Sequence, residues 1–247
     1  MLAIIGGSGL TRLPSLKDAR RQKVPTPYGE ASSALTFGAW AGKEVVFLAR
    51  HGDDHTIPPH EVNYRANIWA LHAQGVKKVL AVASVGGIRA DLTPGVLAVP
   101  DQIIDYTHGR AATFVASGQQ VDHIDFTHPY CAELRAACLA AARHAGEPII
   151  DGGVYAATQG PRLETAAEIN RLERDGADMV GMTGMPEAAL AREIGLCYAV
   201  LAVVVNAAAG RDSSRAGIVM SDVKTVMATA MLRAQAVLEQ WVKTDGG

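Results

Sequence analysis

Short apolar runs rich in β-branched residues recur along the chain at Leu2–Gly6, Val45–Ala49, Lys78–Ser84, Val96–Ile104, Gly153–Ala157, Met179–Thr183 and Cys197–Asn206. Runs of this length predict strands, several of them buried on both faces. Helical segments lie between them, and the second half alternates strand with helix as a parallel sheet requires. Pro129 and Pro186 suit first helical positions, while Gly75, Gly146 and Gly195 suit C-terminal caps. The clearest period is in the last helix. After a Ser221 cap, Val223, Val226, Met227, Ala230, Ala234, Val237, Leu238 and Trp241 recur at helical steps, which predicts a face packed on the sheet. The stretch Asn206–Gly217 reads as a loop between a buried strand and that helix, and such loops carry function. The fold class expected is α/β: one domain over residues 1–247, with a mixed central sheet flanked by helices and active-site loops at strand ends.

Composition narrows the function. With 49% hydrophobic and 19% charged residues, the chain buries enough apolar surface to offset the entropy of ordering, which excludes disorder. A net charge of -2 with no Lys/Arg run leaves no electrostatic footprint for nucleic acid or an anionic membrane, so a small-molecule partner is expected. The Leu2–Ile5 run is short and has no basic region ahead of it, unlike a signal peptide. No apolar stretch reaches the ~18 residues of a membrane span. Three cysteines without a CxxC pair argue against a disulfide scaffold and a thiolate zinc site, and fit a reducing cytoplasm.

Several strand ends carry anion-binding chemistry. Gly6-Gly7-Ser8-Gly9 follows the first strand, where glycines let the backbone approach an anion and Ser8 adds a donor. The run has neither the third Gly of a dinucleotide site nor the Lys of a P-loop, and a plain tight turn explains it equally. Arg50-His51-Gly52 places a charged fork and an imidazole at another strand end. His51, His55 and His60 with Asp53 and Asp54 resemble a metal cluster in composition, but Gly52 and Pro58-Pro59 break the helix that would align them, so no metal is assigned. Ser84-Val85-Gly86-Gly87 ends a third strand in paired glycines. Glu164 reads as a first-turn acid or a ligand contact, Thr183 as a helix cap or a ligand contact, and Asn206 as a turn former or a functional amide.

The blocks Ile5-Gly6-Gly7-Ser8-Gly9-Leu10, Ala49-Arg50-His51-Gly52, Val62 to Leu71, Gly160-Pro161-Arg162, and Met182-Thr183 with Pro186-Glu187 stand in an order that resembles the trimeric purine nucleoside phosphorylase family, especially its methylthioadenosine branch. The resemblance covers nearly the whole chain. It implies a nucleoside phosphorylase fold, a homotrimer, and attack of inorganic phosphate on a purine nucleoside without metal or organic cofactor. By position it implies a phosphate site of Ser8, Arg50, His51, Ser84 and Thr183, with Met182 beneath the ribose. Val82 and Ala83 stand where that branch has hydroxyl side chains, which shifts the work to backbone N–H groups.

The base pocket departs from the same branch. Leu163-Glu164 stands where it has Phe-Ser, and Asn206 and Ala208 where it has two Asp residues; both changes resemble the 6-oxopurine enzymes. A Glu164 carboxylate accepts hypoxanthine N1–H, and the Asn206 amide donates to N7 and O6, whereas adenine reverses the donor pattern. At the sugar end, Met220 stands where the 6-oxopurine enzymes have a His for the 5′-hydroxyl. Val219, Met220 and Val223 would then line an apolar pocket for a 5′-methylthio group, joined by His123 of a neighbouring subunit, or else belong only to the helix's core face. The combination implies phosphorolysis of 5′-methylthioinosine to hypoxanthine and 5-methylthioribose 1-phosphate, with Arg50 and His51 holding phosphate and Asn206 stabilising the leaving base. Methylthioadenosine or inosine/guanosine phosphorolysis, a metal-dependent hydrolase and a nucleoside-binding protein remain as alternatives.

Overall fold

The computed structural model describes residues 1–13 and 16–244. The expected domain end at residue 247 lies outside the described residues. In chain order the elements are β1 (Leu2–Gly6), β2 (Lys17–Gln22), β3 (Leu35–Trp40), β4 (Lys43–Ala49), α1 (Tyr64–Ala73), β5 (Lys78–Gly87), β6 (Leu97–Val99), β7 (Gln102–Asp105), α2 (Ala132–Ala145), β8 (Ile149–Asp151), β9 (Val154–Ala157), α3 (Ala166–Arg174), β10 (Met179–Gly181), α4 (Gly184–Glu193), β11 (Cys197–Ala207) and α5 (Met220–Thr244). The fold is mixed α/β around one sheet, as expected.

The sheet runs β2-β3-β4-β1-β5-β10-β9-β7, and β11 lies along β5 and continues the sheet through β6 to β8. One consequence positions the site. On one edge β5 pairs with β11 along its length; on the other it pairs with β1 only through Ala81 and with β10 only at Gly86 and Gly87. The β5 edge from Val82 to Val85 therefore has no strand partner on that side, and its backbone groups are left for loops or a ligand. A β-bulge at Val205, where β11 slips between Val204 and Asn206, turns Asn206 relative to the regular pleat.

Apolar layers cover both faces. Ile5, Leu48 and Ala81 pack with Ile68 and Leu71 of α1 and Leu190 of α4 on one face. Ile4, Leu80 and Leu201 pack with Leu134 of α2 and Ala234, Leu238 and Trp241 of α5 on the other. This is why the central strands read as unbroken apolar runs. The glycine caps fall as expected, with Gly75, Gly146 and Gly195 all at positive φ.

Five expectations are corrected. The run Val96–Ile104 splits into β6 and β7 around Pro100-Asp101, since proline cannot donate to a ladder. Pro129 precedes α2 rather than opening it; Cys131 is the N-cap. Pro186 does open the regular part of α4, because Met185 has extended angles. The last helix begins at Met220, with the Val219 carbonyl accepting from Asp222 and Val223, so Ser221 is not its cap. Strands β2, β3 and β8 have no counterpart in the sequence reading: β2 is fully exposed and polar, and β8 has three residues. Finally, Cys131 and Cys197 form a disulfide across 66 residues, with Cα atoms 5.2 Å apart. Cysteine spacing did not reveal it, because the N-cap of α2 meets the start of β11 only in the fold.

Candidate active site

A cavity of about 430 Å³ opens at the unpaired edge of β5. The loop after β1 supplies Gly7 and Ser8, the end of β4 supplies Arg50 and His51, and β5 supplies Ala83 to Gly86. Met182 and Thr183 come from the turn into α4, Leu163 and Glu164 from the loop before α3, Asn206 from β11, and Met220 and Val223 from α5. These residues are thus brought to one place from widely separated segments.

Gly7 is required by close approach: a Cβ there would lie 2.7 Å from the Val82 carbonyl oxygen and 2.9 Å from Arg50 Nη1. Ser8 Oγ lies 3.3 Å from His55 Nε2. Arg50 differs from the expected free fork. It is 1% exposed, and its Nε and Nη2 donate to the two carboxylate oxygens of Glu187, both at 2.7 Å. Nη1 donates to the Val82 carbonyl at 3.0 Å. The Tyr198 hydroxyl donates to Glu187 Oε1 at 2.7 Å, and Glu187 is 0% exposed. Burial alone lowers the Arg50 pKa, but the Glu187 carboxylate outweighs it and raises the value above the ordinary one. Of five guanidinium N–H groups, two remain for a ligand. Glu187 stands in the Pro186-Glu187 motif with no role legible in the sequence; only tertiary proximity pairs it with Arg50.

His51 is buried, and its Nδ1 lies 2.9 Å from the Ile57 carbonyl oxygen. Burial, and then the Arg50 charge, lower its pKa to about 4, so the ring is neutral near pH 7. Among the described residues no three His, Cys, Asp or Glu side chains gather as a metal-binding group. His51 faces Ile57, His55 faces Ser8, and His60 pairs with Glu61, so the three histidines do not converge, although the His51 and His55 rings lie 4.7 Å apart.

Geometry bears on three double readings. Thr183 makes no side-chain cap bond to α4, and it lines the cavity. Glu164 precedes α3, whose cap is Thr165 in a reciprocal pair with Glu168, so it is not a first-turn acid. Its Oε1 accepts from Thr158 Oγ1 at 2.6 Å, leaving Oε2 for a ligand. Asn206 lines the cavity, yet its Nδ2 donates to the Ala207 carbonyl at 2.7 Å. One amide N–H remains, which corrects the expected simultaneous donation to N7 and O6.

At the apolar end, Met220, Val223 and Met227 line the cavity at helical spacing on one face of α5, joined by Ile218. Val219 does not line it. It immediately precedes the helix, and its absence from the lining corrects its assignment. His123 lines a separate hollow with Val121 and Glu193 and does not reach this chain's cavity. Arg110, unassigned from sequence, ties the segments after β9 and β10 together: its guanidinium donates to the carbonyls of Thr158, Gln159, Met182 and Met185.

The family model of the phosphorylase superfamily matches residues 1–243. The chain is 53% identical to a probable S-methyl-5′-thioinosine phosphorylase of Pseudomonas syringae over 237 residues, 96% of each chain. It is 47% identical to the 6-oxopurine nucleoside phosphorylase of Pyrococcus furiosus over 220 residues, 87% of this chain and 82% of that one. The solved methylthioadenosine phosphorylase of Schistosoma mansoni with adenine superposes with a TM-score of 0.93 at 33% identity, covering 99% of this chain and 91% of that one.

Proposed function

Because this chain belongs to the phosphorylase superfamily, we propose that it cleaves 5′-methylthioinosine with inorganic phosphate, giving hypoxanthine and 5-methylthioribose 1-phosphate. The observation that carries the reading is the composition of one cavity: Ser8, Arg50, His51 and Thr183 beside the open edge of β5, Glu164 with Asn206, and the apolar stripe Met220, Val223 and Met227. Phosphate is held by the two free Arg50 N–H groups, the Ser8 and Thr183 hydroxyls, and backbone N–H groups near Ser84. A phosphate oxygen attacks C1′ as the bond to N9 breaks through an oxocarbenium-like state, and the bond's electron pair goes to the purine. The free Asn206 N–H stabilises that charge at N7, and Glu164 Oε2 accepts N1–H. Adenine presents a lone pair at N1, so 6-aminopurines bind poorly. The methylthio group gains from burial against the α5 stripe, at about 0.8 kcal/mol for each CH₂-sized unit.

The reading includes a cytoplasmic homotrimer in which His123 completes a neighbour's sugar pocket, with no metal or organic cofactor. No helix among the described residues is long and apolar enough to cross a membrane. The test is a panel of methylthioinosine, inosine, methylthioadenosine and adenosine, each with and without phosphate and with a chelator. Turnover that needs phosphate, survives chelation and is fastest on methylthioinosine is expected. Phosphate-independent hydrolysis, or preference for methylthioadenosine, would overturn the proposal.

A further inference from the structure

We propose that Arg110 is a positioning residue for phosphorolysis: its one guanidinium fixes the base-binding loop against the phosphate-binding turn, and so sets the spacing between leaving group and nucleophile. The inference deepens the reading above and rests on it. The two site segments leave neighbouring parallel strands. β9 and β10 pair as far as Ala157 and Gly181, and one further bond joins the Thr158 N–H to the Gly181 carbonyl. Beyond it the ladder ends and the chains diverge, one to Leu163 and Glu164 before α3, the other to Met182 and Thr183 at the start of α4. Carbonyls past the end of a ladder need new donors.

Arg110, from the segment after β7, supplies donors to both chains at once. Its Nη2 donates to the carbonyls of Thr158 at 3.3 Å and Gln159 at 2.9 Å, and its Nη1 to those of Met182 at 2.8 Å and Met185 at 2.6 Å. Nε donates to Gln159 Oε1 at 3.2 Å. Nη1 also donates to the Tyr64 hydroxyl at 3.2 Å, and that hydroxyl donates to the carbonyl of Pro59, which lines the cavity on the same loop as His51 and His55. Six bonds thus fall on five N–H groups. No donor is left for substrate, so Arg110 acts through the backbone it holds. The two segments also touch directly: a Cβ on Gly160 would lie 2.5 Å from Met182 Sδ, so a shift of the base loop is felt at the residue expected beneath the ribose. Phosphate at Thr183 and purine at Glu164 must flank C1′ in one geometry, and a displacement of about 1 Å can cost about a hundredfold in rate.

The test is steady-state kinetics of the native enzyme, Arg110→Ala and Arg110→Lys, with methylthioinosine and phosphate both varied, beside urea unfolding of each protein. Each subsite keeps its own contact groups in the variants, and what is lost is their relative placement. In Arg110→Ala kcat therefore falls about a hundredfold, while the KM for either substrate moves far less. Arg110→Lys keeps the charge, but a single ammonium cannot span both segments as the planar fork does, so its kcat falls too. It carries the test alone if Arg110→Ala does not fold. Guanidinium chloride well below denaturing concentrations restores part of kcat to folded Arg110→Ala, and potassium chloride at equal ionic strength does not. An unchanged kcat in Arg110→Lys, or a loss of kcat/KM carried wholly by KM, overturns the inference and leaves the phosphorylase reading intact, as does the absence of a guanidinium-specific gain. A native enzyme without phosphate-dependent turnover overturns both.

Discussion

Replacing Glu187 with Ala tests the buried pair on which the phosphate site rests. The variant removes the two carboxylate acceptors of the Arg50 guanidinium, leaving only the Val82 carbonyl, and the acceptor of the Tyr198 hydroxyl, each lost bond being 2.7 Å, in a place where Arg50 is 1% and Glu187 0% exposed. Breaking a buried pair by removing one partner costs about 3–5 kcal/mol, because the remaining charge is left desolvated. An orphaned buried hydroxyl costs about 1–3 kcal/mol, and the two losses share one network, so a total of about 4–6 kcal/mol is expected. Against a typical stability of about 5–15 kcal/mol, such a variant sits near the folding threshold. Urea unfolding at fixed protein concentration reads the loss as a lower midpoint with an unchanged slope. Glu187→Gln keeps the shape and one acceptor oxygen, so it should lose about 2 kcal/mol, fold, and raise the phosphate KM more than the nucleoside KM. A loss below about 1 kcal/mol in Glu187→Ala, the size of a surface ion pair, would refute the reasoning. Arg50→Ala is the poorer probe of phosphate affinity, since it strands the Glu187 carboxylate and mixes instability with lost binding.

Three further outcomes follow from the site and the fold. Methylthioinosine should exceed inosine in kcat/KM by about tenfold to a hundredfold, since a 5′-hydroxyl loses water without gaining a partner, and Met220→His should narrow the gap; equal use by the native enzyme would make Met220 mere helix surface. Asn206→Asp should slow hypoxanthine release by about a hundredfold, the usual cost of one transition-state donor, and an unchanged kcat would remove Asn206 from the chemistry. Reducing the Cys131–Cys197 bond, or Cys131→Ser, should lower unfolding stability by up to about 4 kcal/mol for a closed loop spanning 66 residues of separation, and identical urea curves with and without reductant would deny the bond a stabilising role.

The core strands were legible because burial on both faces leaves a local trace. Leu2–Gly6, Lys78–Ser84 and Cys197–Asn206 are apolar runs wherever they are read, and β1, β5 and β11 follow them closely. β2 left no such trace, since all six of its residues are exposed and only pairing with β3 makes it a strand. Val223 and Met227 were legible by helical spacing, whereas Met220 was marked by the family resemblance, and that Val219 does not line the cavity shows only in the fold.

Residue types and their order in the chain singled out the polar side chains Ser8, Arg50, His51, Thr183, Glu164 and Asn206, and all of them line one cavity. What each polar atom has left to offer was decided only by the tertiary structure. Glu187 takes two sides of the Arg50 fork, Thr158 one oxygen of Glu164, Ala207 one amide proton of Asn206, and Ile57 one nitrogen of His51. Apolar periodicity is set by a residue's own burial and repeats locally, so sequence records it. Hydrogen bonds saturate, and their partners come from segments as far apart as Arg50 and Glu187, so donor and charge balance exists only once the chain has folded.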